Sequence, residues 1–434
     1  VTTIAGPRPS TAPAALSRFA AQLPSASTTP DRLRILRLTL VTLAVLVGLS
    51  ASIGASFAMR QTHAVSNSTE PLLVNAVTIY SSLADADATA AQAFLSGGLE
   101  PAAQTKRYDA DIERASDQLA QAAARAGQDG PATDAVRTLS TQLPVYNGLV
   151  QTARANNRQG LPVGASYLSQ ASTLSRTQLL PAADRLFGIE QQKLSNGYGS
   201  ARAHAWLVLT AMLGIALIAA LIGAQLFLTR RTKRLLNVFL LAATVATVNL
   251  AVLMTGIFIL QHHRLSEAER TGSNPVVVAA QARIAVLTQR GDESLTLVAR
   301  GSGESHEQDF ATAQAKLLGD GSHPALTADG SRAQTLEQQY VQAHKEVRAL
   351  DDAGNYNGAV RLANSVSPGG AAAAFNALDD VLTSDVAANQ ARFTAAASHA
   401  GTGLFALLLI APLLALVICV LSVLGIRDRL EEYR

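Results

Sequence analysis

Acids, bases and nucleophiles that could act together are few in this sequence. Asp85 and Asp87 stand two apart in the run Leu83-Ala84-Asp85-Ala86-Asp87-Ala88-Thr89. On a helix that spacing turns them to different faces, which predicts solvated carboxylates rather than a paired acid and base. His262 and His263 are adjacent at the end of an apolar run, so they too diverge, and an interfacial role is expected rather than a metal site. Cys419 is the only cysteine, which excludes an internal disulfide and any thiolate metal cluster. There is no Gly-rich phosphate loop, no HExxH, no Cys/His metal spacing and no GxSxG. The expectation is a non-enzymatic protein without catalytic residues, metal ligands or a cofactor.

A different chemistry gathers in Arg154-Ala155-Asn156-Asn157-Arg158-Gln159-Gly160. Guanidinium forks and carboxamides that both donate and accept suit a polar partner surface, so Arg154, Asn156, Asn157 and Arg158 are candidate contacts. The competing reading is a solvated helix end with Gly160 as its stop and Pro162 opening the next helix. At the C-terminus, Arg429, Leu430, Glu431, Glu432 and Tyr433 mix charge with apolar and aromatic surface and form a second candidate contact.

The elements that position these groups follow from hydropathy. Four runs approach or exceed the roughly 20 helical residues that cross a bilayer: 38–59, 205–228, 235–260 and 402–426. Gln225 and Asn249 are their polar intruders, and Pro412 should kink the fourth. A transport path through Asn249 is disfavoured, since no span carries a central charge. Arg32, Arg34 and Arg37 precede the first span, Arg230, Arg231, Lys233 and Arg234 fill the loop 229–234, and Arg427, Arg429 and Arg434 follow the fourth. The positive-inside rule places all of them, and both termini, in the cytoplasm of a multi-pass cell-membrane protein. Those segments hold 12 Lys/Arg against 4 Asp/Glu, while the rest of the chain holds 23 against 28. The basic loop also attracts anionic lipid, which accounts for it without a protein partner. The net charge of +3 gives no reason to expect nucleic acid.

Residues 1–34, rich in Ala, Pro, Ser and Thr, should form a disordered cytoplasmic tail rather than a signal peptide; 427–434 is the short cytoplasmic end. Residues 60–204 and 261–401 are then extracytoplasmic. Each leaves the membrane and returns to it, and each has the length of a four-helix bundle. Val136, Leu139, Leu143, Tyr146, Val150 and Ala153 step by three and four as a buried seam should, and so do Ala333, Leu336, Tyr340, Ala343, Val347 and Leu350. Pro144 should bend or break the first seam. Turns are expected near Gly97, Gly130, Gly160, Gly301, Gly321 and Gly354. Aligning Pro71 with Pro275, and Tyr146 with Tyr340, also pairs Leu83 with Leu287, Arg154 with Arg348, Gly160 with Gly354 and Gly164 with Gly358. The predicted fold is all-α, with four transmembrane helices and two tandem bundles related by duplication.

Pro71-Leu72-Leu73-Val74, the run from Leu83 to Thr89, Ala153 to Gly160 and the ending Arg429-Leu430-Glu431-Glu432-Tyr433-Arg434 resemble the actinobacterial GlnX-type membrane proteins. The resemblance runs from the first span to the end of the sequence. It implies a sensor placed between an extracytoplasmic glutamine/glutamate-binding lipoprotein and the cytosolic serine/threonine kinase PknG. The expected partners are therefore a solute-binding lipoprotein, a kinase, the lipid bilayer and a second copy of the chain. A direct small-molecule receptor and a structural envelope scaffold are the alternatives.

Overall fold

A computed structural model describes residues 29–64, 70–125, 130–201, 205–232, 237–319, 325–328, 330–399 and 403–431. The described residues are helical, with no strand among them. They form α1 (Thr29–Ala64), α2 (Glu70–Leu95), α3 (Ala102–Arg125), α4 (Pro131–Arg158), α5 (Val163–Leu174), α6 (Leu180–Ala201), α7 (Ala205–Thr232), α8 (Val238–Glu267), α9 (Asn274–Val298), α10 (Glu304–Leu318), α11 (Arg332–Asp352), α12 (Tyr356–Ala363), α13 (Ala371–His399) and α14 (Leu404–Glu431). π-helical turns at Ser175–Leu179 and Ala268–Ser273 join α5 to α6 and α8 to α9 without a gap.

Four helices contain stretches long and apolar enough to cross a membrane: α1, α7, the one that starts at Val238 with α8, and α14. The chain is a multi-pass membrane protein. The first of these helices begins at Thr29, inside the stretch predicted to be a disordered tail; residues 1–28 lie outside the described residues.

The chain divides into two compact units. The apolar unit collects the described residues within 29–59, 205–260 and 403–431. Leu40, Ala44, Val47, Leu217, Leu221, Leu250, Leu407, Ala411 and Ile418 are among its core residues. Small residues set the spacing of its helices: a Cβ on Gly48 would lie 2.4 Å from Ala415 Cβ, so α1 and α14 approach only because Gly48 has none. Gln225 donates to Thr244 Oγ1 at 3.1 Å, the interhelical use of a polar residue that hydrocarbon favours. Asn249 is exposed on the surface of this unit. Asn237 caps α8 through Phe239 N and donates its amide to Gly425 O at 2.6 Å.

The polar unit gathers 60–202 and 261–402. The two bundles expected from the sequence are therefore fused into one body. The seams lie where their spacing places them: Tyr146 and Tyr340 are fully buried, with Val136, Leu139, Leu143, Val150, Ala153, Ala333, Ala343 and Val347 beside them and Leu336 and Leu350 half-buried. α4 runs through Pro144 without a break. Gly97, Gly160, Gly301 and Gly354 take left-handed φ in turns, a conformation other residues rarely adopt. Gly130 instead precedes α4 in an extended conformation, and Gly321 lies outside the described residues.

Fusion follows from α2 and α9, which pack directly on each other. Their facing residues are small. At Gly291 an added Cβ would make ordinary contact with α2, 3.7 Å from Ala88 Cα. Leu73, Val77 and Leu83 of the first segment share one core with Val276, Val277, Leu295 and Phe393 of the second. An excised 60–202 fragment should thus keep helix in circular dichroism but melt without a cooperative transition. Mixing in 261–402 should restore that transition; a sharp melt of the fragment alone would show that the segments fold independently.

Candidate functional site

Asp85 and Asp87 correct the sequence expectation, because both are buried, at 3% and 5% exposure. They do diverge, and each enters a separate polar group inside the unit. The counterpart run on α9 was not singled out from sequence at all. Gln289, Arg290, Asp292, Glu293 and Ser294 lie at or below 1% exposure, because α2, α10 and α13 surround the helix. A buried charge is costly unless it is paired and hydrogen-bonded, so the partners define what this interior can do.

The first group is a closed ring of four residues from four helices. Arg107 of α3 donates to both oxygens of Asp85 of α2, at 2.8 and 3.0 Å, and to Asp379 of α13 at 2.6 Å. Arg283 of α9 donates to Asp379 at 2.8 Å and to Asp85 at 2.9 Å. Each guanidinium spans two carboxylates and each carboxylate accepts from two guanidiniums, a use of the planar fork that lysine cannot copy. The ring carries no net charge. Burial works against the charge on Arg107, but the adjacent Asp85 and Asp379 outweigh it and raise its pKa; Asp379 and Asp85 do the same for Arg283.

The second group surrounds Asp87, which accepts from Ser172 at 2.9 Å and from Tyr146 at 3.3 Å, with Arg176 Nε 3.9 Å away. Burial raises the Asp87 pKa, and Arg176 and Ser172 only partly oppose it. Arg176 also pairs with Asp292 and Asp309.

The third group centres on His344 of α11. Its Nδ1 lies 3.1 Å from Glu293 and its Nε2 3.0 Å from Glu307, and its ring stacks on Phe310 with centroids 3.7 Å apart. Burial alone would lower its pKa, but the bonds to Glu293 and Glu307 prevail and lift it to about 9. His344 is therefore an imidazolium at neutral pH and donates through both nitrogens. Arg290 pairs with the same Glu293 and donates to Ala363 O at 3.0 Å. Nearby, Gln289 donates to Glu337 at 2.7 Å, yet burial still pushes that carboxyl up to about 7.

Around Arg154 the structure distributes the expected contacts unevenly. Arg154 donates to Glu100 at 2.7 Å and lies 4.2 Å over the ring of Tyr108, so its guanidinium is engaged within the unit. Asn157 donates to Phe94 O at 3.0 Å and fastens the turn after α4 to the end of α2. Asn156 bonds back to Thr152 O of its own helix. Arg158 is exposed, as are Leu99, Leu161 and Val163. Only the backbone of Arg429, Leu430 and Glu431 is described, within α14, and Glu432 and Tyr433 lie outside the described residues.

Residues 61–199, which take in all of α2 to α5 and nearly all of α6, match a family described as an actinobacterial sensor domain. The match fits a sensor-type protein. No curated protein and no solved structure matches the chain.

Two measurements probe this interior. His344 titrates near 6.5 in an unfolded chain and near 9 here, so its stabilisation is complete below pH 6.5 and is lost as pH rises through 9. That loss amounts to roughly 3 kcal/mol. The thermal midpoint of the purified protein should fall across that window, and His344→Gln should flatten the fall. Separately, Asp379→Leu should cost about 3 kcal/mol or more by leaving Arg107 and Arg283 to share the single carboxylate of Asp85. Adding Arg283→Leu should recover part of the loss in a double-mutant cycle; strict additivity would mean that the ring carries no coupling.

Proposed function

We propose that this protein is a non-enzymatic transmembrane sensor and relay, with the polar unit extracytoplasmic and both termini cytoplasmic. The observation that carries this reading is the sensor-domain match on a segment flanked in sequence by two membrane-length helices, α1 and α7. Helical continuity adds to it: α8 passes through a π turn into α9, so a displacement of α9 has a covalent path toward the apolar segment. The GlnX-type resemblance supplies the partners, an amino-acid-binding lipoprotein outside and a cytosolic serine/threonine kinase inside. The outer contact is then the turn bearing Arg158, where Leu161 at 44% and Val163 at 46% exposure follow it closely in sequence, with Leu99 of the α2–α3 turn 89% exposed. The inner contact is Arg429 to Tyr433.

We read the two segments as products of duplication. Tyr146 and Tyr340 both anchor a seam, and Gly160 and Gly354 both take left-handed φ after the helix. Gly164 and Gly358 both occupy positions where a Cβ would crowd the preceding turn, at 3.0 Å from Ala153 O and 2.6 Å from Asn355 Nδ2.

A direct receptor role has one observation in its favour. A cleft of about 610 Å³ is lined by Arg300, Glu304, Arg348, Asp351 and Tyr356 among others. Arg300 has φ of 44° and holds its guanidinium 4.7 Å over Tyr356, and a non-glycine residue in that region is uncommon enough to suggest a local constraint.

Topology is tested by single cysteines in a Cys419→Ser background. An impermeant reagent applied to intact cells should label Arg158→Cys and spare Thr232→Cys; the reverse pattern would overturn the orientation. Signalling is tested in the native host. Arg158→Glu combined with Leu99→Glu, and separately deletion of 429–434, should each abolish the kinase-dependent response to an external amino acid at unchanged membrane abundance. Parental responses from both variants would favour the scaffold. Binding of free amino acid to the purified protein without lipoprotein would favour the direct receptor.

A further inference from the structure

Arg176 is outnumbered. Its Nη1 pairs with Asp292 Oδ1 and lies 3.2 Å from Asp309 Oδ2, while its Nε stands 3.9 Å from Asp87 Oδ2. Three carboxylates thus converge on one guanidinium. Asp292 is fully buried, yet neither of its oxygens receives a well-directed hydrogen bond; Oδ1 has only its ion pairs. His306 Nδ1 lies 3.7 Å from that Oδ1 and is likewise without a hydrogen bond. With Oδ1 taken up by Arg176, the buried Oδ2 has no partner and leaves accepting capacity for a further cation. Burial also raises the pKa of Asp292, with His306 and Arg176 only partly opposing it.

The geometry names the cation's class. One donor atom from each of Asp292, His306 and Asp309 falls within 4.8 Å of the other two. A first-row metal binds such donors at about 2.0–2.2 Å, which sets neighbouring donors roughly 3–3.5 Å apart, within reach of side-chain adjustment. His306 and Asp309 are one turn apart on α10 and share a face, while Asp292 comes from α9. Their side chains are 26% and 57% exposed, so an ion can enter from solvent. Two carboxylates alone would suit magnesium, calcium or manganese, but the imidazole shifts preference to zinc, iron, nickel and copper.

We propose that Asp292, His306 and Asp309 bind a divalent first-row transition-metal ion at the position held by Arg176 Nη1. Arg176 then withdraws toward Asp87. The guanidinium marks where positive charge is favoured, and its long stem gives it somewhere to go. Arg176 lies in the π turn Ser175–Leu179 of the first segment, whereas the three ligands belong to the second. Metal occupancy therefore removes one ionic tie between the segments. The site stands independently of the sensor reading.

The test uses the full-length protein in detergent micelles, stripped with chelator and titrated calorimetrically with Zn²⁺, then Mn²⁺, with Mg²⁺ as the comparison. One Zn²⁺ per chain should bind, Mg²⁺ at the same concentration should not, and Zn²⁺ should raise the thermal midpoint. His306→Gln and Asp309→Asn, both on accessible side chains, should each weaken Zn²⁺ binding by roughly tenfold or more. Arg176→Met should tighten it by removing the competing cation, a gain that loss of structure cannot produce. His262→Gln with His263→Gln should leave it unchanged. No saturable Zn²⁺ binding, or binding that survives His306→Gln and Asp309→Asn but is lost in the His262/His263 variant, would overturn the proposal.

Discussion

The polar unit depends on the cost of placing charge where water cannot reach it. Asp85, Asp379 and Arg283 are tolerated in the interior only together, with the partly exposed Arg107 closing the ring, because removing one of the buried three leaves a desolvated charge underpaired. The ring draws on α2, α3, α9 and α13, two helices from each segment. The two central helices meet where Ala88 of α2 faces Gly291 of α9. Packing and charge neutralisation together join stretches of chain separated in sequence by the two central spans.

That long separation explains what the sequence could and could not tell. The seams around Tyr146 and Tyr340 were legible because a helix periodicity of three and four is local, and four apolar runs announce themselves by length. The burial of Asp85 was not legible. Its run of alternating Asp and Ala looks like the solvated side of a helix until Arg283, 198 residues away, is brought to it. The same holds for the turn after α4. Its Arg and Asn content suggested an outward-facing surface, but Asn157 is occupied by Phe94 O and Arg154 by Glu100, bonds set by the packing of α2 against α4. One signal was available and overlooked: Gln289 to Ser294 is a dense polar run flanked on both sides by apolar residues, which on a helix buried all round has to be internally paired.

Two of the three polar groups are balanced and one is not. The ring is neutral, and His344 with Arg290 offsets Glu293 and Glu307. Around Arg176 three carboxyl groups, those of Asp87, Asp292 and Asp309, face one guanidinium. This unevenness separates groups that hold the fold from one with capacity left for a ligand, and it places that capacity beside one of the two π turns, irregularities that recur at functional sites.

Because Asp85, Asp379 and Arg283 are largely withdrawn from solvent, ions in the bathing medium have little purchase on the pairs they make. Mobile counterions weaken a charge pair mainly when they can crowd around it, as they can around Arg137 and Asp134, whose side chains are 67% and 76% exposed. Transfer from dilute to concentrated electrolyte would loosen that surface pair while leaving Asp85 and Asp379 clasped. The contact between α2 and α9 that these pairs help to hold is thereby less sensitive to ionic strength than the surface pairs are.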